Sequence, residues 1–165
     1  MQLERGKVFR RNITINKQYT ISFDLLPTKF KGGYHNVLHF TTGDNYNTNG
    51  SRVPGIWFHN KKGNSKERVL MVCSEINDNH NHCTLTKKLP VNQWSSIKIQ
   101  QAKKGRVYMY LVYVNGDLIK WVINKKPKVY RDVVLYTADP WHDAQQGFIR
   151  DLHFPSDLCK KVSFA

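Results

Sequence analysis

A chain of 165 residues is long enough for one domain with a substantial core, and 40% hydrophobic and 12% aromatic residues are typical of a folded globular protein. No apolar run approaches the ~20 residues that a membrane span requires. The 26 Lys and Arg against 12 Asp and Glu give a net charge of +14 at pH 7. This excess favours polyanionic partners such as sulphated glycans, anionic lipid headgroups or nucleic acid, unless the charge serves only solubility.

Apolar and polar residues alternate along most of the chain, which predicts an all-β fold. In the segment YTISFDLL, the side chains of Tyr19, Ile21, Phe23 and Leu25 fall on one face of a strand that Pro27 ends. No linker or repeat interrupts the pattern, so we expect one domain, 1–165, with its core within about 17–155. Further strands are predicted at 37–41, 55–59, 69–73, 94–101, 107–114, 118–123, 133–137 and 148–154.

Two connections between the predicted strands stand out. Asn115-Gly116, within VYVNGDLIKWV, predicts a two-residue type I′ hairpin. The segment 43–54 is a long polar loop, and its composition suggests that it is displayed at the surface for binding rather than packed into the core. The pairs of adjacent basic residues fall mostly at predicted turns: Arg10-Arg11, Lys61-Lys62, Lys87-Lys88, Lys103-Lys104, Lys125-Lys126 and Lys160-Lys161.

Three cysteines allow three pairings, of which Cys73 with Cys83 is favoured because the intervening SEINDNHNH reads as the loop of a hairpin. A disulfide there implies an oxidising compartment and leaves Cys159 free or paired to another chain. Three reduced thiols in a cytosolic protein are the alternative. Two N-x-S/T triplets, at Asn12 and Asn49, are compatible with secretion, although no apolar signal segment precedes them.

The order of several segments resembles the concanavalin A-like superfamily, in particular its laminin-G and pentraxin-like jelly rolls. The resemblance covers about 19–154 and is carried by YTISFDLLP, NVLHFTTGD, PGIWFH, LPVNQWSSIKIQQ, the VYVNGDLI hairpin and the closing GFIRDLHF. The segment DPWHDAQQGFIRDL also looks like a signature of cell-surface lectin-like domains. The resemblance implies an antiparallel two-sheet jelly-roll sandwich.

The residues do not point to catalysis. Glycoside hydrolases on this fold need two carboxylates flanking the scissile bond, and the three glutamates Glu4, Glu67 and Glu75 show no such spacing. Glu75 and Asp78 fall in the presumed disulfide loop, with no strand to aim them. His80 and His82 suggest a metal site less than solvated loop histidines, because further ligands are not evident.

Calcium is the cofactor that the resemblance implies, because laminin-G-like and pentraxin-like domains often hold it at the rim of the sandwich. Asp139 and Asp143 in one loop, or Asp44 in another, offer the oxygen ligands that calcium prefers. Aspartate and asparagine are also ordinary turn residues, so a purely structural interpretation stays open.

A carbohydrate site needs an aromatic platform with amide, carboxylate or guanidinium groups beside it. Trp141 is the candidate platform, because it lies in a polar loop with His142 and Gln145 near it. Asn45, Arg52 and His59 are candidates at the same rim, although Arg52 and His59 also fit a solvated charge and a strand end. Trp57 and Trp94 are expected in the core, and Trp121 is undecided.

We therefore expect a non-enzymatic extracellular binding module that recognises carbohydrate at a loop rim, with sulphated or anionic glycan as the finer expectation. The alternatives are adhesion to a protein or membrane surface without sugar specificity, and a secreted matrix component. Nucleic acid is disfavoured because no nucleic-acid-binding motif is present, and oligomer formation is left open.

Overall fold

The computed structural model describes residues 1–60 and 68–155, and twelve strands form in this part of the chain. Their bounds are β1 Val8–Ile15, β2 Tyr19–Pro27, β3 Gly33–Thr41, β4 Gly55–Asn60, β5 Val69–Ile76, β6 Asn79–Lys88, β7 Ser95–Lys104, β8 Val107–Val114, β9 Asp117–Asn124, β10 Tyr130–Tyr136, β11 Asp143–Ala144 and β12 Gly147–His153. In the same described ranges, no helix has the length and apolar character of a membrane span.

The strands form two sheets that pack face to face. A seven-stranded sheet has the order β1-β10-β3-β4-β5-β6, with the short β11 pairing in parallel with β3. A five-stranded sheet has the order β12-β2-β7-β8-β9. All other pairings are antiparallel, so the structure confirms the predicted all-β sandwich.

The core lies between the sheets and follows the alternation of the sequence. On β2, Ile21, Phe23 and Leu25 are buried against the facing sheet, as predicted. The two sheets are also joined by a buried hydrogen bond of 2.9 Å between the hydroxyl groups of Ser74 and Tyr110. Burial raises the pKa of Tyr110, which keeps its hydroxyl protonated for this bond.

The predicted strands and the type I′ hairpin are confirmed, with small differences at the ends. Asn115 and Gly116 have φ of 50° and 82° and connect β8 to β9, with Val114 opposite Asp117. The left-handed backbone at both positions is the geometry that Asn-Gly supplies at low cost.

Strands β1 and β6 are edge strands that the alternation did not reveal. β1 contains VFRRNITI with register shifts along its pairing to β10, and β6 contains the polar NHNHCTLTKK. An edge strand buries few side chains, so polar residues dominate both segments. The core therefore begins before residue 17, because Leu3, Ile13 and Ile15 are buried in it.

The Cys73–Cys83 disulfide is present, and it joins residues directly opposite each other on β5 and β6. The intervening segment is not a loop, however. Both strands extend through it to a turn at Asn77 and Asp78, whose φ values are 54° and 63°. Cys159 lies outside the described residues.

Several other expectations are corrected by the strand lengths and packing. His80 and His82 are partly buried residues of β6 rather than loop residues. Trp94 is only partly buried and lies under the guanidinium of Arg150, at 4.2 Å. Among the basic pairs, those that lie on strands rather than at turns are Arg10-Arg11, Lys87-Lys88 and Lys103-Lys104, whereas Lys61-Lys62 and Lys160-Lys161 lie outside the described ranges.

Candidate functional site

Trp57 lies on the outer face of the seven-stranded sheet. Its neighbours on β4, Ile56 and Phe58, point into the core, so the side chain between them points away from it. The indole ring lies across Gly55, where an added Cβ would stand only 2.1 Å from the ring. Glycine at this position therefore lets a large aromatic ring lie flat on the sheet.

Trp57 is nevertheless only 1% exposed, because other side chains cover it. The guanidinium of Arg52 stacks over the indole ring at 4.4 Å from its centroid. The rings of His39 and His142 contact it edge to face, at 5.2 and 5.6 Å between centroids. The sequence hypothesis of a buried Trp57 is thus correct for burial and wrong for the face of the sheet.

A cleft of about 270 Å³ opens above this cluster. Two tyrosines beside the cleft, Tyr34 and Tyr46, are 50% and 49% exposed. Their rings offer apolar faces to solvent, and amide groups and a guanidinium lie next to them. The lining residues are Tyr34, Asn45, Tyr46, Arg52, Trp57, Met71, Asn81, Cys83 and His142.

Arg52 is held in place by the loop that carries it and by β6. Its Nε donates to the backbone carbonyl of Asn45 at 3.0 Å, and Nη1 donates to the side-chain oxygen of Asn81. Burial lowers the pKa of Arg52 from its ordinary value, while the nearby Asp139 charge acts in the opposite direction. An arginine keeps its charge under such a shift, so the cleft contains a positioned cation.

Glu75 fixes the long loop 43–54 to the sheet. Its carboxylate, almost fully buried at the end of β5, accepts a hydrogen bond from Gly50 N at 2.7 Å and pairs with Lys128. Its own amide donates to the carbonyl of Arg52 at 3.0 Å. The expectation that Glu75 lacks a strand to aim it is therefore wrong. The second half of the loop, from Gly50 to Pro54, is buried rather than displayed.

A buried polar network supports the cleft from the side of the β10–β11 connection. His39 Nδ1 lies 2.8 Å from Asp139 Oδ2, and His39 Nε2 lies 2.7 Å from the carbonyl oxygen of Ser51. Asp139 Oδ1 also accepts backbone hydrogen bonds from Trp141 and His142, at 3.1 and 2.8 Å. Burial by itself would raise the pKa of Asp139, but hydrogen bonds from His142 and His39 outweigh it and hold this pKa well below its ordinary value.

The structure brings together three of the predicted ligand-binding residues, Asn45, Arg52 and His142, in one cleft. Trp141 is half-exposed but lies outside the lining, with its ring against Tyr136 and His39. The remaining two predicted residues, Gln145 and His59, also lie outside the lining of the cleft.

Gln145 is buried, and its Nε2 donates to the carbonyl groups of Lys29 and Gln146 at 2.6 and 2.9 Å. Its side chain therefore links the backbone at Lys29 to the backbone at Gln146. His59 packs against the Tyr34 ring at 4.7 Å and so supports one wall of the cleft without lining it.

The carboxylates expected to bind calcium do not gather around one point. Asp139 is buried in the network described above, and Asp143 is exposed and pairs with Arg5 at 3.1 Å. One Asp44 carboxylate oxygen accepts a hydrogen bond from Asn45 N at 2.6 Å. Within residues 1–60 and 68–155, no group of three or more His, Cys, Asp and Glu side chains is placed to hold a metal. This donor set as placed does not fit calcium, which binds six to eight oxygens.

The sequence reasoning missed the other residues of the cleft. Tyr34, Tyr46 and Asn81 come from three separate segments, and pairing of β3, β4, β5 and β6 is needed to bring them together. One signal was available in the sequence. Gly55 and Trp57 are two residues apart on a predicted strand, so they lie on the same face, whereas Ile56 and Phe58 lie on the other face. A glycine at that spacing leaves room for the aromatic ring to lie over the backbone.

Comparison with known proteins identifies the fold. No protein-family model matches the chain, and no curated protein matches it. A native heptameric SAP-like pentraxin from Limulus polyphemus matches with a TM-score of 0.58 and 14% identity, over 89% of this chain and 67% of that one. Domain 4 of an extracellular arabinanase from Geobacillus stearothermophilus matches with a TM-score of 0.51 and 18% identity, over 88% of this chain and 65% of that one.

The Ruminococcus gnavus IT-sialidase CBM40 matches with a TM-score of 0.52 and 12% identity, over 95% of this chain and 94% of that one. The chain thus spans about two thirds of the length of the pentraxin and arabinanase chains. At these identities the likeness establishes the fold alone. The chain thus has an antiparallel two-sheet sandwich fold similar to that of these structures, as the alternation of the sequence predicted.

Proposed function

We propose that this protein is a non-enzymatic extracellular module that binds carbohydrate in the cleft above Trp57. The observation that carries the proposal is the arrangement of two half-exposed tyrosine rings around amide and guanidinium groups. A sugar ring has an apolar face that packs on an aromatic ring, and hydroxyl groups that bond to amides and guanidinium.

The platform in this proposal is Tyr34 or Tyr46 rather than Trp141 or Trp57. Trp57 is covered by Arg52, so its contribution is to hold the guanidinium in place. Asn45 and Asn81 orient the same guanidinium through their oxygen atoms. The amides and the cation thus form one pre-arranged unit, which lowers the cost of ordering side chains when a ligand binds.

The cleft favours an anionic sugar as its ligand. Arg52 presents a partly desolvated charge. Its three nitrogens each donate one hydrogen bond to Asn45 or Asn81, and the second N–H of Nη1 and of Nη2 suits a carboxylate or sulphate. The net charge of +14 attracts the same ligands over longer distances.

The fold is compatible with this role. The similar arabinanase domain is described in complex with arabinotriose, and a further structure, the Ruminococcus gnavus IT-sialidase CBM40 with a TM-score of 0.50, is described bound to alpha2,3 sialyllactose. The non-enzymatic part of the proposal rests on the chemistry of the lining. Amides, phenols and a guanidinium bind hydroxyl and acidic groups, whereas glycoside hydrolysis requires a pair of carboxylates.

The test is a glycan-array assay at low and moderate salt, with calcium and with a chelator. We compare the wild type with the double variant Tyr34→Ala, Tyr46→Ala. The matched control is Trp121→Ala, which removes an exposed aromatic side chain from the other sheet. Selective binding by the wild type and the control, with loss in the double variant, supports the proposal.

Binding that survives in the double variant, or no binding by the wild type, overturns it. Binding confined to acidic glycans and weakened by salt supports the role of Arg52. The chelator arm tests the calcium prediction separately, because loss of binding in the chelator alone would show that binding requires calcium.

A further inference from the structure

A second surface with a distinct chemistry lies on the outer face of the five-stranded sheet, along β8 and β9. Tyr110 and Val112 point into the core, so Met109 and Tyr113 on the same strand point outward. On β9, the apolar side chains of Leu118, Trp121 and Ile123 are exposed, Trp121 at 55%, and the charged side chains of Asp117 and Lys120 are exposed beside them. We call this surface the β8–β9 face, and its residues are Val107, Met109, Tyr113, Leu118, Trp121 and Ile123.

In the same sheet, the surface of β2 is polar, and Phe148 of the edge strand β12 is the exposed apolar residue next to it, at 41%. On β2 the outward side chains are Thr20, Ser22 and Asp24, and Asp24 pairs with Arg150 of β12 at 3.1 Å. The apolar side chains are therefore not spread evenly over the sheet. Isolated exposed apolar residues are common on proteins, whereas a cluster bordered by polar residues marks a contact surface.

Cationic side chains border the β8–β9 face. Lys98 Nζ lies 4.2 Å from the centroid of the Tyr113 ring, and Lys104 pairs in register with Val107. At the end of the two strands, Arg106 and Lys125 line a cleft of about 590 Å³ together with Val107 and Ile123. The segment 95–125 contains six Lys and Arg residues and a single acidic residue, Asp117.

We propose that the β8–β9 face docks on an anionic phospholipid bilayer. Exposed aromatic and aliphatic side chains enter the interfacial zone of a bilayer, where tryptophan is the favoured residue. The surrounding lysine and arginine side chains pair with lipid phosphate and carboxylate groups. The combination of an apolar centre with a mostly cationic border, in which Asp117 is the one acidic residue of segment 95–125, fits an anionic bilayer surface and has no need of a shaped pocket.

This surface is separate from the carbohydrate cleft. The cleft lies on the outer face of the seven-stranded sheet, whereas the β8–β9 face lies on the outer face of the other sheet. A protein with both sites would bind glycan on one side and a membrane on the other. The two proposals therefore fail or succeed independently.

The experiment is vesicle co-sedimentation of the full chain. One set of vesicles is phosphatidylcholine alone, and the other contains roughly 30% phosphatidylserine. The test variant is Trp121→Ser with Ile123→Ser, which keeps every charge. The matched control is Leu85→Ser, which removes a side chain that is 54% exposed on β6 of the opposite sheet. Circular dichroism and thermal unfolding check that both variants are folded.

We expect the wild type and the control to sediment with the anionic vesicles and not with phosphatidylcholine. The double variant should lose at least about tenfold in apparent affinity, because its apolar contribution is removed. Absence of wild-type binding overturns the proposal, as does unchanged binding by the double variant, since that result would reflect net charge alone. A wild-type dimer in sedimentation velocity that the double variant dissociates would assign the face to a second copy of the chain and also overturn it.

Discussion

His39 Nδ1 lies 2.8 Å from Asp139 Oδ2, and both side chains are fully buried beneath the candidate carbohydrate cleft. The other ring nitrogen of His39 faces the carbonyl oxygen of Ser51 at 2.7 Å. The ring therefore lies between two hydrogen-bond acceptors, a carboxylate and a backbone carbonyl. These two buried contacts connect β3 to the β10–β11 connection and to the loop that carries Arg52.

Asp139→Asn should lower the free energy of unfolding by about 3 kcal/mol, because it removes a buried carboxylate that faces the His39 ring and accepts hydrogen bonds from the amides of Trp141 and His142. Chemical denaturation at neutral pH measures this change. The matched control is Asp143→Asn, since Asp143 is exposed and its pair with Arg5 lies at the surface. Equal and small losses in both variants would contradict the role of Asp139.

The stability of the wild type should depend on acid pH through Asp139. Its pKa is lower in the folded protein than the value of about 3.9 in an unfolded chain, so its contribution is complete above about pH 4 and is lost as the pH falls toward the folded pKa. The difference in unfolding free energy between the wild type and Asp139→Asn should therefore shrink progressively as the pH falls from about 4 toward the folded pKa. A difference that stays constant over this range would be inconsistent with the shifted pKa.

The Cys73–Cys83 disulfide should stabilise the fold and the floor of the cleft. It closes a segment with a sequence separation of 10, for which loss of the bond is expected to cost about 2–3 kcal/mol. We expect a reducing agent to lower the melting temperature of the wild type. The double variant Cys73→Ser, Cys83→Ser should have the melting temperature of the reduced wild type, and a reducing agent should not change it further.

Gly55→Ala should destabilise the protein by about 1–3 kcal/mol, because the new Cβ would stand 2.1 Å from the Trp57 ring. The ring would have to lift from the sheet and would disturb Arg52, so glycan affinity should fall as well. A double-mutant cycle checks the cause. In a Trp57→Phe background, Gly55→Ala should cost less, and an equal cost in both backgrounds would exclude a clash with the indole ring.

Arg52→Lys should weaken the binding of acidic glycans more than the binding of neutral ones. Lysine keeps the charge but cannot make the paired, planar hydrogen bonds of a guanidinium, nor stack in the same way on Trp57. The ratio of affinities for an acidic and a matched neutral glycan measures the effect by calorimetry. A uniform loss for both glycans would show that Arg52 only supports the loop.

The sequence by itself determined the class of fold and much of its layout. Alternation on β2, with Ile21 and Phe23 inward and Thr20 and Ser22 outward, is a local property because successive side chains of a strand point to opposite faces. The Asn115-Gly116 turn is equally local, since the left-handed backbone is easily adopted by these two residues. The pairing of Cys73 with Cys83 was predicted because the segment between them reads as the loop of a hairpin; the hairpin is present, but most of that segment is strand.

Only the tertiary structure decided which polar residues meet. Asn45, Arg52 and His142 were named from the sequence, but the same reasoning named Gln145, which is buried, and Trp141, which packs against Tyr136. Tyr34 and Asn81 are separated by many residues and become neighbours only through strand pairing across the sheet. Side-chain pattern fixes which face of a strand a residue occupies, whereas strand order and register fix its neighbours on that face, and those depend on packing of the whole sandwich.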